Sequence, residues 1–332
     1  MTATVHRTGQ EACHDRQGRE LPCRGSGQDA EFKSGTPWPS PRFEVQGGVV
    51  LDRLTGLVWT RDADPAGFPH NRAEALAFVD GLNSAKHLGF FDWRLPNRRE
   101  LLSLVAFNTA SPCLPAGHPF ERVVPNWYWS DTPAAGRPGY FWNLEMLGGR
   151  LFFSQENEFR LVWPVRGASP SLANPVAGPG TGVVWPEPRF ALLNQDAVRD
   201  ELTDLVWARR AHPGPLSWPQ ALAAPHAAND RVLGGRVNWR LPTILELESL
   251  VDAGFQTPAL TQGHPFLDLA DTVWSSTNSG LDPSWSMCLY LHKGALGVAH
   301  KPTASCAVWV VSGGSGKIAS FSQVKACLPD SG

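Results

Sequence analysis

Trp93-Arg94-Leu95-Pro96 returns 146 residues later as Trp239-Arg240-Leu241-Pro242. Working outward from these two tetrapeptides decides how the chain is organised. His118-Pro119-Phe120 recurs as His264-Pro265-Phe266, and Thr55 with Leu57-Val58-Trp59 recurs as Thr203 with Leu205-Val206-Trp207. Five tryptophans, Trp59, Trp93, Trp129, Trp142 and Trp163, answer in order to Trp207, Trp239, Trp274, Trp285 and Trp309, at offsets of 148, 146, 145, 143 and 146. Ten of the 14 Trp therefore belong to a scaffold used twice. Solenoid units run roughly 20 to 50 residues, so a period this long means two complete domains, each with its own core.

Composition narrows the class. Of 332 residues, 42% are hydrophobic and 18% charged, which suits a globular chain rather than a disordered one. The 32 Gly and 29 Pro point to short strands joined by many turns. A formal net charge of -2 supplies no whole-chain footprint for nucleic acid. No apolar run reaches the roughly 18 residues of a membrane span, so membrane insertion is not expected. The start, Met1-Thr2-Ala3-Thr4-Val5-His6, lacks the basic-then-apolar pattern of a leader; the chain is cytosolic, or its leader lies outside this sequence.

Cysteine usage favours the second option. Cys13, Cys23, Cys113, Cys288, Cys306 and Cys327 form no C-x-x-C pair, and an even count without metal spacing leans towards disulfides and an oxidising compartment. Cys288 follows Trp285 by three residues and Cys306 precedes Trp309 by three; the first copy has Glu145 and Arg160 in those places. The expectation is a Cys288–Cys306 disulfide where the first copy has a charge pair, and a small Cys13–Cys23 loop near the N-terminus. The pairing of Cys113 and Cys327 stays open.

Residues 1–42 are polar and Gly-rich and read as a loosely folded lead-in. The first domain spans 43–167, a Pro/Gly/Ser-rich linker 168–188, the second domain 189–314 and a tail 315–332. Within each domain a hairpin turns at Leu54-Thr55-Gly56 or Leu202-Thr203-Asp204. A helix follows behind the capping boxes Asn71-Arg72-Ala73-Glu74 or Ser217-Trp218-Pro219-Gln220, the second ending early at Pro225. A second helix opens after each Arg-Leu-Pro at Asn97 or Thr243, with Glu100 or Glu246 three places on and a stripe of Leu101, Leu104 and Val105 or Leu247, Leu250 and Val251. The remainder is strand, closing at Leu161-Val162-Trp163. Two helices beside a twisted antiparallel sheet with long loops make each copy α+β.

The run Thr8-Gly9-Gln10, Cys13, Cys23, Gly27-Gln28-Asp29, Pro41-Arg42-Phe43, Asp52, Leu54-Thr55-Gly56-Leu57 and Asp92-Trp93-Arg94-Leu95-Pro96-Asn97 resembles the C-terminal domain of Legionella collagen-like protein. Glu100-Leu101, Tyr128-Trp129-Ser130 and Trp163-Pro164-Val165-Arg166-Gly167 continue the likeness, which covers almost the whole chain as two tandem copies. The resemblance implies a C-type-lectin-like fold related to formylglycine-generating enzymes through Arg240-Leu241-Pro242-Thr243. It also implies an extracellular or periplasmic bacterial setting and, for a few relatives, adhesion to glycosaminoglycan-like polysaccharides. In related lectin-like proteins the stretch after the Tyr-Trp-Ser element displays variable binding residues. This chain has no collagen-like repeat, and its second copy ends Val310-Val311-Ser312 where the first has Pro164-Val165-Arg166.

No H-E-x-x-H, G-x-S-x-G, P-loop or EF-hand pattern occurs. Formylglycine-type chemistry needs a late cysteine pair, and Cys288 with Cys306 have the wrong separation. The expectation is a non-enzymatic binding module for a polysaccharide or a protein, with a structural subunit of a surface assembly as the rival reading. No cofactor is expected, and calcium is indicated by no motif. His118 and His264 read as capping imidazoles, Asp52 and Asp200 as turn carboxylates, and Arg94 and Arg240 as structural hydrogen-bond donors. Alternation places Trp142, Leu144 and Met146 in the core and Phe141, Asn143 and Glu145 outside. The ligand set so derived is Asp131, Tyr140, Phe141, Asn143, Arg150 and Phe152, joined by Gln155, in the first copy. In the second it is Asn278, Asp282, Ser286, Tyr290, His292 and Lys293.

Overall fold

A computed structural model describes residues 3–169, 183–212 and 214–314. Each copy begins with a small antiparallel sheet whose turn is built on a buried aspartate. Asp52 accepts hydrogen bonds from the Leu54 amide (3.0 Å) and the Thr55 hydroxyl (3.2 Å), and Asp200 does the same for Leu202 (3.0 Å) and Thr203 (2.9 Å). Gly56 (φ 74°) and Asp204 (φ 63°) then take the left-handed conformation that closes the hairpin. The strands Phe43–Gln46, Val49–Asp52, Val58–Thr60 and Val165–Arg166 form one such sheet, and Phe190–Leu192, Ala197–Asp200, Val206–Ala208 and Val311–Ser312 the other. Both aspartates are fully buried and neutralised by a two-pronged guanidinium, Arg42 or Arg189. Such forked pairing satisfies both carboxylate oxygens at once. The sequence signal for it was the recurrence of Pro41-Arg42-Phe43 as Pro188-Arg189-Phe190.

Five helices are described: α1 (Asp29–Phe32), α2 (Arg72–Ser84), α3 (Arg98–Ser103), α4 (Trp218–Asp230) and α5 (Ile244–Leu250). All four expected capping boxes are present, at Asn71, Asn97, Ser217 and Thr243. Arg94 and Arg240 grip the same Glu100 and Glu246 that complete two of those boxes, so each Arg-Leu-Pro element is locked to the helix it introduces. Pro225 does not end α4, which continues to Asp230. The lost backbone bond is offset by burial of Trp218, Ala221 and Ala228 along the packed face.

The larger strands are β1 (Trp127–Pro133), β2 (Tyr140–Glu145) and β3 (Leu151–Gln155) in the first copy and β4 (Thr272–Asn278), β5 (Trp285–Tyr290) and β6 (Ala295–His300) in the second. They join into one six-stranded sheet in the order β4-β5-β6-β3-β2-β1. Trp129 faces Asn143 across β1 and β2, and Trp274 faces Cys288 across β4 and β5. The register offset is therefore 145 throughout this region, so Trp142 corresponds to Met287 and Trp285 to Tyr140. The sequence pairing of Trp142 with Trp285 was two residues out, because aromatic side chains occupy alternate positions of the same strand. Trp142 is core, whereas Trp285 is only partly buried.

Where the two halves meet, Leu151 of β3 pairs antiparallel with Leu296 of β6. At the same offset these two residues are each other's counterparts, so a pseudo-two-fold axis runs through the pair. One buried cluster accordingly contains residues from both copies. The seam is chemically asymmetric. Arg99 donates through Nε to Glu248 (3.1 Å) and through Nη2 to the Val251 carbonyl (2.6 Å), while Arg98 lies 3.5 Å from Glu248, stacks 4.0 Å over Trp142 and donates to the Gly294 carbonyl (2.7 Å). Their counterparts, Ile244, Leu245 and Leu102, are apolar.

The lead-in is not loose. Its Cys13–Cys23 disulfide is formed, and the segment is wedged against both copies. The Thr8 carbonyl accepts from the Phe107 amide (2.8 Å), Gln10 donates to the Asn278 carbonyl (3.2 Å), and Asn278 donates to Gln28 (2.9 Å). Of its polar residues, Thr8, Gln10, Gln28 and Asp29 are buried in such contacts, whereas Arg16, Gln17, Arg19, Glu20 and Arg24 face solvent. Most of the linker (170–182) and the tail from 315, including Cys327, lie outside the described residues.

Removing the seam carboxylate takes from two buried guanidinium groups the anion they share. Glu248→Gln is expected to lower stability by about 3–5 kcal/mol in urea unfolding, whereas Asp268→Asn, which breaks an exposed pair with Arg210, stays within about 1 kcal/mol.

Candidate functional site

The structure sorts the expected ligand residues into three groups along the six-stranded sheet and its turns. At the first end, Arg72 donates to the Ser130 carbonyl (2.9 Å) and to Asp131 (2.6 Å) and stacks 4.1 Å over Phe141. Asp131 remains 62% exposed. Asn143, expected outside, is buried and donates to Ser154 (2.7 Å). Tyr140 lies at the rim of the opposite face, its hydroxyl accepting from Gln155 (2.7 Å).

At the second end the face is covered by the chain itself. Ser286 and Asn278 are buried, which removes them from any ligand surface. Thr8 (2.7 Å) and Thr277 (2.6 Å) both donate to Asp29 Oδ2, and Lys301, also buried, donates to the Pro283 carbonyl (2.7 Å) and to Asn278. The N-terminal segment thus caps in the second copy what Arg72 and Phe141 cap in the first. Asp282 is exposed but holds its own turn through Ser284. His292 and Lys293 are exposed, with His292 beside Asp271.

The third group sits at the seam, in the middle of the sheet. Phe152 meets Tyr290 across the copies with ring centroids 5.9 Å apart, and Trp127 stands 6.5 Å from Phe152 on its other side. Arg150 lies 5.7 Å from the Trp127 ring and donates to Glu145 through Nε (2.7 Å); that bond raises the guanidinium above its ordinary pKa. The three rings are partly exposed. Gly297, the counterpart of Phe152, leaves the space Tyr290 occupies: a Cβ there would come within 2.5 Å of the ring. Burial pushes the Tyr290 phenol up to about 12, so at neutral pH it offers a neutral hydroxyl and an apolar ring. Trp127 was missed in the sequence because its counterpart in the second copy, Thr272, is not aromatic.

Three other expectations are corrected. Cys288 and Cys306 are separate buried thiols, as is Cys113: Cys306 lies on a strand paired with Leu216–Ser217, not with β5. Nor do Glu145 and Arg160 pair, since Glu145 binds Arg150 and Arg160 binds Glu158. The His118 and His264 rings do not cap backbone groups; their buried Nδ1 atoms have no partner, and the rings lie about 6 Å from Phe120 and Phe266. Among the described residues no three His, Cys, Asp or Glu gather as a metal-holding set, and no helix is long and apolar enough to cross a membrane.

Burial pushes each of the three thiols up to about 12. They are expected to be inert to a thiol reagent in the native protein and to react on unfolding; native labelling of any would contradict this packing. Burial also raises Asp29 from 3.8 to about 6, against the hydroxyl bonds of Thr277 and Thr8, which favour the anion. The folded chain therefore binds this proton more tightly than the unfolded chain. The contribution is fully present below about pH 4 and is lost as pH rises to about 6, a change on the order of 2–3 kcal/mol. Asp29→Asn keeps an oxygen acceptor for both hydroxyls and carries no charge, so it should gain stability on wild type as pH rises from about 4 to about 7. Parallel unfolding curves at the two pH values test this.

The sequence matches the family described as the Lcl C-terminal domain twice, over residues 48–166 and 196–312. No curated protein matches the chain.

Proposed function

Because the chain belongs to the Lcl C-terminal domain family in two tandem copies, we propose that it is a non-enzymatic binding module of the extracellular or periplasmic space that recognises a polysaccharide. The observation that carries this reading is the row of partly exposed rings Trp127, Phe152 and Tyr290, drawn from both copies, with the Arg150–Glu145 pair beside it. Aromatic faces stack on the apolar faces of sugar rings, while the Arg150 guanidinium at the edge, held by the buried Glu145, fixes hydroxyl or acid groups. Packed strands on either side of the seam hold the platform rigid, which limits the ordering cost of binding. The buried, high-pKa thiols argue against a cysteine-based oxidation of the formylglycine type, and the Cys13–Cys23 disulfide supports an oxidising compartment.

Titration of the intact chain against a panel of acidic and neutral polysaccharides, with and without calcium, tests the reading. Saturable binding should weaken about tenfold or more in Trp127→Ala and Tyr290→Ala, equivalent to about 1.4 kcal/mol each, and stay unchanged in Lys293→Ala. Binding indifferent to both aromatic changes would move the ligand elsewhere. Silence across the panel, with binding to a protein partner, would replace the polysaccharide.

A further inference from the structure

A cavity lies away from the sheet face, in a groove of about 560 Å³ between the N-terminal segment and the second copy. Such a volume falls within the range of small-molecule sites. One wall is Arg7 and the end of α1 from Phe32 to Gly35; the other is α4 and the Val237–Leu241 stretch. The groove exists because the N-terminal segment docks on this copy. Gly35 (φ 95°) stands where a Cβ would meet the Val5 carbonyl at 2.8 Å, so the segment passes here without a side chain.

The charges in the groove have one sign. No Asp or Glu stands among its lining residues, whereas Arg7, Lys33, His226 and Arg240 do. Arg240 is neutralised by Glu246. The Nε of Arg7 is buried with no hydrogen-bond partner, and Lys33 and His226 are exposed. Comparison with the first copy sharpens this. Asn83 and Asn229 make the same bond to the Trp93 and Trp239 carbonyls (2.8 and 3.0 Å), which fixes the register and makes Asp80 the counterpart of His226. The lining of the groove thus carries an imidazole where the first copy has an acid. Nearby, the Asp92–Arg166 ion pair becomes the neutral Asn238–Ser312 pair. Between the cations the lips are apolar, formed by Phe32, Leu222, Pro225 and Val237, with Phe32 48% and Val237 66% exposed.

We propose that this groove is a second binding site, for a small organic anion with an apolar body, whose acid group meets Arg7 and Lys33 and whose body lies along α4. The site is separate from the aromatic platform and does not rest on the polysaccharide reading.

Fluorescence titration of the full chain with anilinonaphthalene sulfonate, an apolar-bodied anion, tests it against the uncharged N-phenylnaphthylamine. The anion is expected to bind saturably at one site and at least about tenfold more tightly than the neutral dye. Arg7→Gln and Lys33→Gln together should weaken it about tenfold, and His226→Asp, which restores the acid of the first copy at an exposed position, should do so by several-fold. Raising the salt concentration should weaken the anion and not the neutral dye. Near-ultraviolet circular dichroism reports whether the Trp environment, and so the fold, survives each change. Equal binding of the two dyes, or charge variants that fold normally and bind as tightly as wild type, would overturn the proposal, as would absence of saturable binding.

Discussion

Antiparallel pairing of Leu151 with Leu296 is the constraint on which the arrangement of the two domains depends. A sheet edge left open is a row of unpaired donors and acceptors and a template for aggregation. Each copy has such an edge, at β3 or β6, and the duplication resolves both by placing them against each other. Because corresponding residues meet, the contact has the geometry of an isologous dimer made within one chain. Everything else at the seam follows from that approach: the shared core, Gly297 making room for Tyr290, and the Arg98, Arg99 and Glu248 cluster that crosses from one copy to the other.

A dimer within one chain differs from one between two chains in that its halves diverge independently. Self-complementary contacts at a true two-fold axis forbid a lone Arg–Glu pair without its duplicate. Here Arg99 and Glu248 meet on one side of the pseudo-axis, while Leu245 and Leu102 hold the equivalent positions on the other. The same freedom separates the two ends of the sheet. One end is capped by the Arg72 guanidinium over Phe141, the other by the N-terminal segment with Asp29 between two threonine hydroxyls.

Much of the scaffold was legible in the sequence because it rests on local chemistry. The capping boxes, the Asp52 and Asp200 turns and the Arg94 and Arg240 anchors each involve residues within about ten positions of one another, and the repeat displays every one of them twice. What the sequence hid depends on which chain segments come together. Alternation placed Asn143 and Ser286 outside, yet both are buried, Asn143 bonded to Ser154 and Ser286 with its hydroxyl on the Ser275 and Thr277 carbonyls. Cys288 and Cys306 looked like a pair because they flank matching tryptophans, but strand pairing sends them to different neighbours. The two-residue slip between Trp142 and Trp285 has the same root: identity of residue type was taken for identity of position, and only the ladder with β1 and β4 fixes the register.

That slip bears on where function has diverged. Once the register is set by the ladder, the residues of the seam platform have no like counterparts: Trp127 answers to Thr272, Glu145 to Tyr290 and Phe152 to Gly297. Core positions such as Trp59 and Trp207 stay matched, and where they differ, as Trp142 and Met287 do, both side chains remain buried and apolar. At the seam the second copy carries a ring where the first carries a buried carboxylate paired with Arg150, and no ring where the first carries one. The composite row Trp127–Phe152–Tyr290 is complete only when both copies contribute. The first domain alone would present Trp127 and Phe152 without Tyr290, with Phe152 on the open edge strand β3, so the platform exists because the chain is duplicated and the two edges meet.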